Sequence, residues 1–285
     1  MFDADDGKHS NNVSAPMQRV KGAARVSYQF DGTATRLDDL YQSGSAKVRL
    51  PKVYDGVPAA VLINTAGGIT GGDRLSYEAS LGEDAHALVT TQTAERAYRR
   101  TSGVGSVATR LTVAAGATLE WLPQEAILFN ASALHRSLTA DLAGNSRLLA
   151  LESVVLGRSA MGERVDTLSY RDRWRIRRDG KLVFADDVRL EGDPTESLKG
   201  IATTAGKIAF ATFFDCAVDA EDRIDLARSA LGTCAGQASV HAAASAWNGL
   251  LIARFVANDG QALRSRLMSF LKTYRSAELP RVWHC

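Results

Sequence analysis

The runs SYEASL (76–81), GED (82–84) and ALVTTQ (87–92) make a strand, a turn and a strand, and the same unit returns twice. It recurs as RLTV (110–113), Ala115-Gly116 and TLEWL (118–122), and as LTADL (138–142), Gly144-Asn145 and RLLALESVV (147–155). Each run is rich in Val, Leu, Thr and Ala, and each turn holds glycine, so the units read as strand pairs. The turns fall roughly 30 residues apart, the kind of period at which self-similar units stack on one another. The expected fold is therefore mainly β: a β-helical, solenoid-like body of stacked strand pairs. A β-sandwich produces much the same pattern and stays open as the alternative.

Strand signals extend outward from this repeat over residues 23–218. Val107, Leu111 and Val113 share one face of a strand, with Arg110 and Thr112 on the other. Asp179-Gly180 lies between two strand runs, 171–178 and 181–190, and predicts a hairpin. A two-residue loop there places Arg173 opposite Asp186. The arginine-rich first run, with Arg171, Arg173 and Arg175, has two readings: an RNA or acidic-protein contact, or the solvated face of an edge strand. Asn248-Gly249 predicts a second hairpin between 239–246 and 250–256. About two α-helices are expected towards the C-terminus. Residues 219–231 have helical spacing and an acidic first turn with Glu221, Asp222 and Asp225. Residues 261–274 carry Leu263, Leu267, Phe270, Leu271 and Tyr274 on one stripe. Residues 1–20 are polar and unpatterned and read as a flexible tail, leaving residues 21–285 as a single domain.

The totals narrow the function. The chain has 285 residues, 45% of them hydrophobic and 23% charged, with a formal net charge of +2. Such a balance argues against a protein built to hold nucleic acid or an anionic membrane. No run of apolar residues is long enough to span a bilayer, and MFDADDGKHSNN lacks the basic and apolar regions of a secretory signal. A cytoplasmic location is expected. Cys216, Cys234 and Cys285 are too few and too scattered for a disulfide framework, and none forms a Cys-x-x-Cys pair.

Residues 64–74, NTAGGITGGDR, hold four glycines in six positions between two strand runs. Each glycine in a plain strand costs roughly 0.5–1 kcal/mol relative to alanine, so some position must need positive φ or close backbone approach. A phosphate cradle needs a helix after its last glycine. Here Asp73 puts a negative charge in that place and a strand follows, which argues against nucleotide binding. A double turn that lets strands pack closely, and a partner-docking loop or pore lip with Asp73 at its edge, both remain.

Five blocks in order resemble the UreD (also called UreH) family of urease accessory proteins. The first is Gly67-Gly68 and Gly71-Gly72-Asp73-Arg74-Leu75. Thr90-Thr91-Gln92 with Ala97-Tyr98-Arg99 is similar to the family's next segment, and Leu119-Glu120-Trp121-Leu122-Pro123-Gln124 with Ile127-Leu128-Phe129 to the one after. Glu152 and then Gly157-Arg158, Ala160 and Gly162-Glu163 match a fourth, and Pro280-Arg281-Val282-Trp283 resembles the family's ending. Together they span about residues 23–284. Arg96 stands where the family commonly has lysine, and Gln42-Ser43-Gly44-Ser45-Ala46 lacks its usual proline. The resemblance implies a β-helical fold with a few helices and no known catalysis. It implies binding to UreF, to the GTPase UreG through UreF, and to the urease apoprotein, with homo-oligomers only inside that accessory complex. It implies no stably bound cofactor but a transient Ni²⁺ carried through an internal channel.

The bare chemistry leaves several assignments open. There is no Gly-x-Ser-x-Gly elbow and no His-Glu-x-x-His. His9, His86, His135, His241 and His284 are dispersed. His284-Cys285 pairs an imidazole with a thiol, both suited to Ni²⁺, at what reads equally as a frayed terminus. A channel needs weak, exchangeable ligands, which carboxylates supply. Asp73, Glu125, Glu152 and Glu163 are the candidates, each with an alternative as a salt-bridge partner, for example Glu163 to Arg158. Trp121, Ile127, Leu128 and Phe129 are either a docking patch or core. The rival function is that of a β-solenoid hydrolase or transferase with an acidic cleft.

Overall fold

The structure, a computed structural model, describes residues 19–53, 56–158, 162–232 and 239–284. The chain begins with an antiparallel pair, β1 (Lys21–Phe30) and β2 (Thr35–Gly44), followed by β3 (Ala46–Arg49) and β4 (Ala59–Asn64). It then winds through β5 (Arg74–Leu81), β6 (His86–Thr91) and β7 (Glu95–Ala97). The next turn is β8 (Gly105–Val113), β9 (Thr118–Leu122) and β10 (Ala126–Leu128). After β11 (Ala133–Leu142) and β12 (Arg147–Leu156) the chain makes β13 (Leu168–Arg178), whose hairpin partner is β14 (Lys181–Gly192). The short helix α1 (Pro194–Leu198) leads to β15 (Ala209–Cys216), α2 (Ile224–Gly232), the hairpin β16 (Val240–Trp247) and β17 (Leu250–Ala257), and the long helix α3 (Gly260–Arg275).

The first sheet has the order β14-β13-β11-β8-β5-β1-β2, and the second runs β16-β17-β15-β12-β9-β6-β4-β3. Strands one repeat apart pair in parallel: β5 with β8, β8 with β11, β11 with β13, and β4, β6, β9 and β12 in the second sheet. Parallel pairing of successive repeats is the geometry of a solenoid and is foreign to an antiparallel sandwich, so the fold is the β-helical one. The turns stack as well as the strands. The Asp84 amide donates to the Ala115 carbonyl at 3.1 Å, the Gly116 amide to Asn145 Oδ1 at 2.8 Å, and the Gly144 amide to Asp179 Oδ1 at 2.9 Å.

Alternation decides which side chains lie between the sheets. Leu75, Tyr77, Ala79 and Leu81 of β5 point inward, while Ser76, Glu78 and Ser80 lie on the outer face. The second sheet is apolar on both faces. Leu148, Ala150, Val154 and Leu156 of β12 join the inter-sheet core, and Leu149, Leu151 and Val155 join a second core beneath α3. There Phe270 and Tyr274 of α3 pack edge-on against Phe213. Helices α2 and α3 therefore form a third layer. Asp259 caps α3 by accepting from the Ala262 amide at 2.7 Å, and Ser276 ends it in the left-handed region.

Both predicted hairpins form, with Asp179, Gly180, Asn248 and Gly249 all at positive φ. The cross-strand register differs from the two-residue-loop expectation. Arg173 lies opposite Asp187, and Trp174 opposite Asp186, because a bulge between Ile176 and Arg177 shifts the pairing by one residue. Arg171 then reaches diagonally to Asp187, Nη2 to Oδ2 2.7 Å. The arginine-rich strand is not the edge of its sheet either, since β14 lies outside it. Trp121, Leu128 and Phe129 are buried and Ile127 packs against the second core, so this group is interior. The segment 1–18, Ala160, Cys234 and Cys285 lie outside the described residues.

Candidate functional site

Three strands break the apolar phase of their own alternation. In β11 the inward positions run Leu134, Arg136, Leu138, Ala140, Leu142; in β13 they run Tyr170, Asp172, Trp174, Ile176; in β12 they run Leu148, Ala150, Glu152, Val154, Leu156. Arg136 and Asp172 are neighbours in the first sheet, directly opposite in the parallel register. Glu152 faces them from the second. Arg136 Nη1 lies 2.7 Å from Glu152 Oε2, and Nη2 lies 2.5 Å from Asp172 Oδ2. Arg136 also donates to the Tyr170 hydroxyl at 2.7 Å, and that hydroxyl donates to Asp172 at 3.2 Å. Trp121 Nε1 donates to Glu152 at 3.2 Å.

Space surrounds this cluster. A cavity of about 60 Å³ is lined by Tyr77, Glu95, Trp121, Pro123, Arg136, Glu152 and Asp172, among others. At roughly 15 Å³ per water, it has room for about four. On one side it shares Tyr77, Thr91 and Glu95 with a cavity of about 50 Å³ that reaches Asn64, Gly67 and Gln92. On the other it shares Arg136, Glu152 and Asp172 with a pocket of about 20 Å³ that reaches Asp186 and Thr212. Their shared linings place the three in series between the sheets, a passage from the glycine-rich loop towards the β14 side whose walls are mostly apolar but carry Glu95, Arg136, Glu152 and Asp172.

The loop builds the first mouth. Gly67 and Gly72 have positive φ. Gly68 and Gly71 are there for closeness: a Cβ on Gly68 would lie 2.2 Å from the Tyr98 ring, and one on Gly71 would lie 2.0 Å from the Ser102 carbonyl oxygen. The Tyr98 hydroxyl donates to the Gly67 carbonyl at 3.2 Å. Asp73 is buried and ties the loop together, its Oδ1 accepting from the Val20 amide and its Oδ2 from the Thr70 amide, each at 2.8 Å. Arg74, exposed, begins β5 directly, so no helix N-terminus faces the loop. Asn64 Nδ2 donates both to the Gly68 carbonyl and to Glu95.

Of the four candidate carboxylates, only Glu152 lines the passage. Asp73 is engaged by the loop backbone, as above. Glu125 pairs with Arg264 of α3 at 3.0 Å. Glu163 pairs with Arg158 at 2.8 Å and accepts from the Asn130 amide, with Gly157 and Gly162 at positive φ around it. Arg158 in turn lies over the Phe129 ring. His284 is exposed beside the buried Trp283. Among the described residues, no group of three or more His, Cys, Asp or Glu side chains is placed to hold a metal ion. Sequence reading missed Glu95, Arg136 and Asp172; the signal for the last two was a charge in the apolar phase of a strand.

Burial raises two of the passage carboxyls, Glu152 and Glu95, towards neutrality. It raises Glu152 to about 7, with Asp172 adding to the effect and Arg136 opposing it. It raises Glu95 to about 7 against hydrogen bonds from Asn64 and the Arg96 amide. Between the ordinary value of 4.5 and about 7, folded Glu95 keeps a proton that the unfolded chain releases. Charged Glu95 therefore costs stability above pH 7, and the cost disappears below 4.5. Glu95→Gln is expected to stabilise the protein at pH 8, by at most about 3 kcal/mol, and to change little at pH 4.5. Urea denaturation at the two pH values checks this; an equal effect at both would mean that Glu95 is not shifted.

Residues 20–284 match the family model described as UreD urease accessory protein. Curated relatives named urease accessory protein UreD come from Chelativorans sp. (strain BNC1), 47% identical over 94% of this chain and 95% of the relative, and from Jannaschia sp. (strain CCS1), 46% identical over 93% and 96%. One from Brucella suis is 41% identical over 96% of this chain and 98% of its own.

Proposed function

Because the chain belongs to the UreD family of urease accessory proteins, we propose that it serves urease maturation as a cytoplasmic, non-catalytic scaffold that conducts nickel. In this reading it binds UreF, UreG through UreF, and the urease apoprotein, and Ni²⁺ crosses it through the passage between the two sheets. The observation that carries the reading is the passage itself, with Glu95, Glu152 and Asp172 along three small cavities that share lining residues. Carboxylates and water hold a divalent ion loosely enough to release it. An ion with a partial water shell fits a space of about 60 Å³.

The rival reading, a hydrolase or transferase, needs an acid pair in a cleft. Glu152 and Asp172 are such a pair, but Arg136 bridges them. Their cavity is also far smaller than the roughly 300–1,000 Å³ of pockets that take organic substrates. Among the described residues, no helix is long and apolar enough to cross a membrane.

The test is activation of apo-urease by nickel with UreF and UreG, in the presence and absence of this chain. Active urease and co-purification with UreF are expected only when the chain is present. Equal activation without it would overturn the proposal.

A further inference from the structure

Arg136 is an odd wall for a cation passage. Its guanidinium spans the gap between the sheets, from Asp172 on the first to Glu152 on the second. It also lines both the 60 Å³ cavity and the 20 Å³ pocket, so it stands where the two meet. Arg136 Nε is buried and donates no hydrogen bond to any described residue, so this side of the guanidinium is not tied down by protein groups. Two carboxylates share one guanidinium, so the fully ionised cluster keeps a net negative charge and can take more positive charge than Arg136 supplies.

Resting on the conduit reading, we propose that Arg136 is a tethered counter-cation: it occupies the Glu152–Asp172 dicarboxylate, and a divalent metal ion binds there only by displacing it. A guanidinium is a suitable occupant because it is always charged and its fork meets two carboxylates at once. With the guanidinium in place the passage is divided and one of the two negative charges is offset, so the interior holds cations less tightly. An arriving divalent ion brings twice the charge and takes both carboxylates. The guanidinium then withdraws into the larger cavity, where Glu95 also faces. When the ion moves on, Arg136 returns and pushes the equilibrium towards release. Arg136 is thus a specificity-determining residue: it excludes monovalent ions and shortens the stay of divalent ones.

The experiment is equilibrium dialysis of the tag-free full chain against Ni²⁺. Arg136→Gln is expected to gain about one equivalent of Ni²⁺ bound roughly tenfold more tightly than by the unaltered chain, and Arg136→Gln/Glu152→Gln to lose that gain. Nickel binding by Arg136→Gln no tighter than by the unaltered chain would overturn the proposal. Removing a buried counter-charge also destabilises, so thermal melting supplies a second readout. Ni²⁺ is expected to raise the Tm of Arg136→Gln more than that of the unaltered chain, and an equal or smaller rise counts against displacement. If Arg136→Gln is insoluble, Arg136→Lys, whose ammonium lacks the bidentate fork, is expected to bind Ni²⁺ several-fold more tightly than the unaltered chain; unchanged affinity again overturns the proposal. Urease activation separates the two readings: a gained nickel site with activation unaltered upholds displacement and sinks the conduit.

Discussion

Urease matured with a Glu152→Gln chain is expected to carry about a tenth, or less, of the nickel it receives with the unaltered chain, while the accessory complex still assembles. The substitution keeps the volume of the side chain and an oxygen for the Trp121 indole N–H, which donates to it at 3.2 Å. What it removes is charge. Arg136 and Asp172 are left as a balanced pair, and the net negative charge that favours a divalent ion at the centre of the passage is gone. A loss of about 1.4 kcal/mol in the hold on the ion is a tenfold loss of occupancy, and one carboxylate of two in a largely buried site exceeds that. Glu125→Gln is the control. Glu125 faces Arg264 of α3, away from the passage, and its loss is expected to leave nickel delivery within about twofold, as for a site that shares no partner with Glu152. Nickel content by atomic absorption, measured beside urease activity, checks both. Full nickel loading with Glu152→Gln would remove this residue from the conduit.

The second large effect is on stability. Phe270→Ala is expected to cost about 3–5 kcal/mol, the range for a fully buried phenylalanine that leaves a cavity behind. Phe270 is 0% exposed and packs against Phe213, Phe255 and Tyr274, at ring-centroid distances of 5.1, 5.2 and 5.5 Å. These contacts fasten α3 to the second sheet. Tyr274 goes further, donating its hydroxyl to the fully buried Asp215 at 2.5 Å, and Asp215 also takes Arg147. The truncation therefore loosens a joint that no neighbouring group can refill. At roughly 2–4 °C per kcal/mol, the Tm should fall by about 6–20 °C. Calorimetry checks it, and a fall of under about 2 °C would mean that α3 contributes little to the fold.

These two residues differ in how openly the sequence announces them. Phe270 sits on an amphipathic stripe with Leu263, Leu267, Leu271 and Tyr274, and the expected helix of 261–274 forms as α3, Gly260–Arg275. Helical periodicity is a local property, so local sequence reveals it. The same holds for the two hairpins and for the four glycines of the loop. At each of those glycines a positive φ or a close contact does exclude a side chain. Glu152 was visible only as a carboxylate within a family block. Asp73 and Glu163 looked equally promising on that basis, and both are engaged in holding local backbone.

The sequence by itself determined the repeat, the turns, the helices α2 and α3 and the family, because each is written in neighbouring residues or in blocks that keep their order. The tertiary structure alone decided what meets inside. Parallel stacking brings residues roughly 30–40 positions apart into adjacent strands, so Arg136 meets Asp172, and Glu152 reaches both from the facing sheet. A single bulge moved Arg173 from Asp186 to Asp187. Register is set by the whole sheet at once, since a one-residue slip turns every side chain to the other face. No stretch of the chain encodes that alone, and so the passage, unlike the solenoid around it, emerges only when the turns are laid on one another.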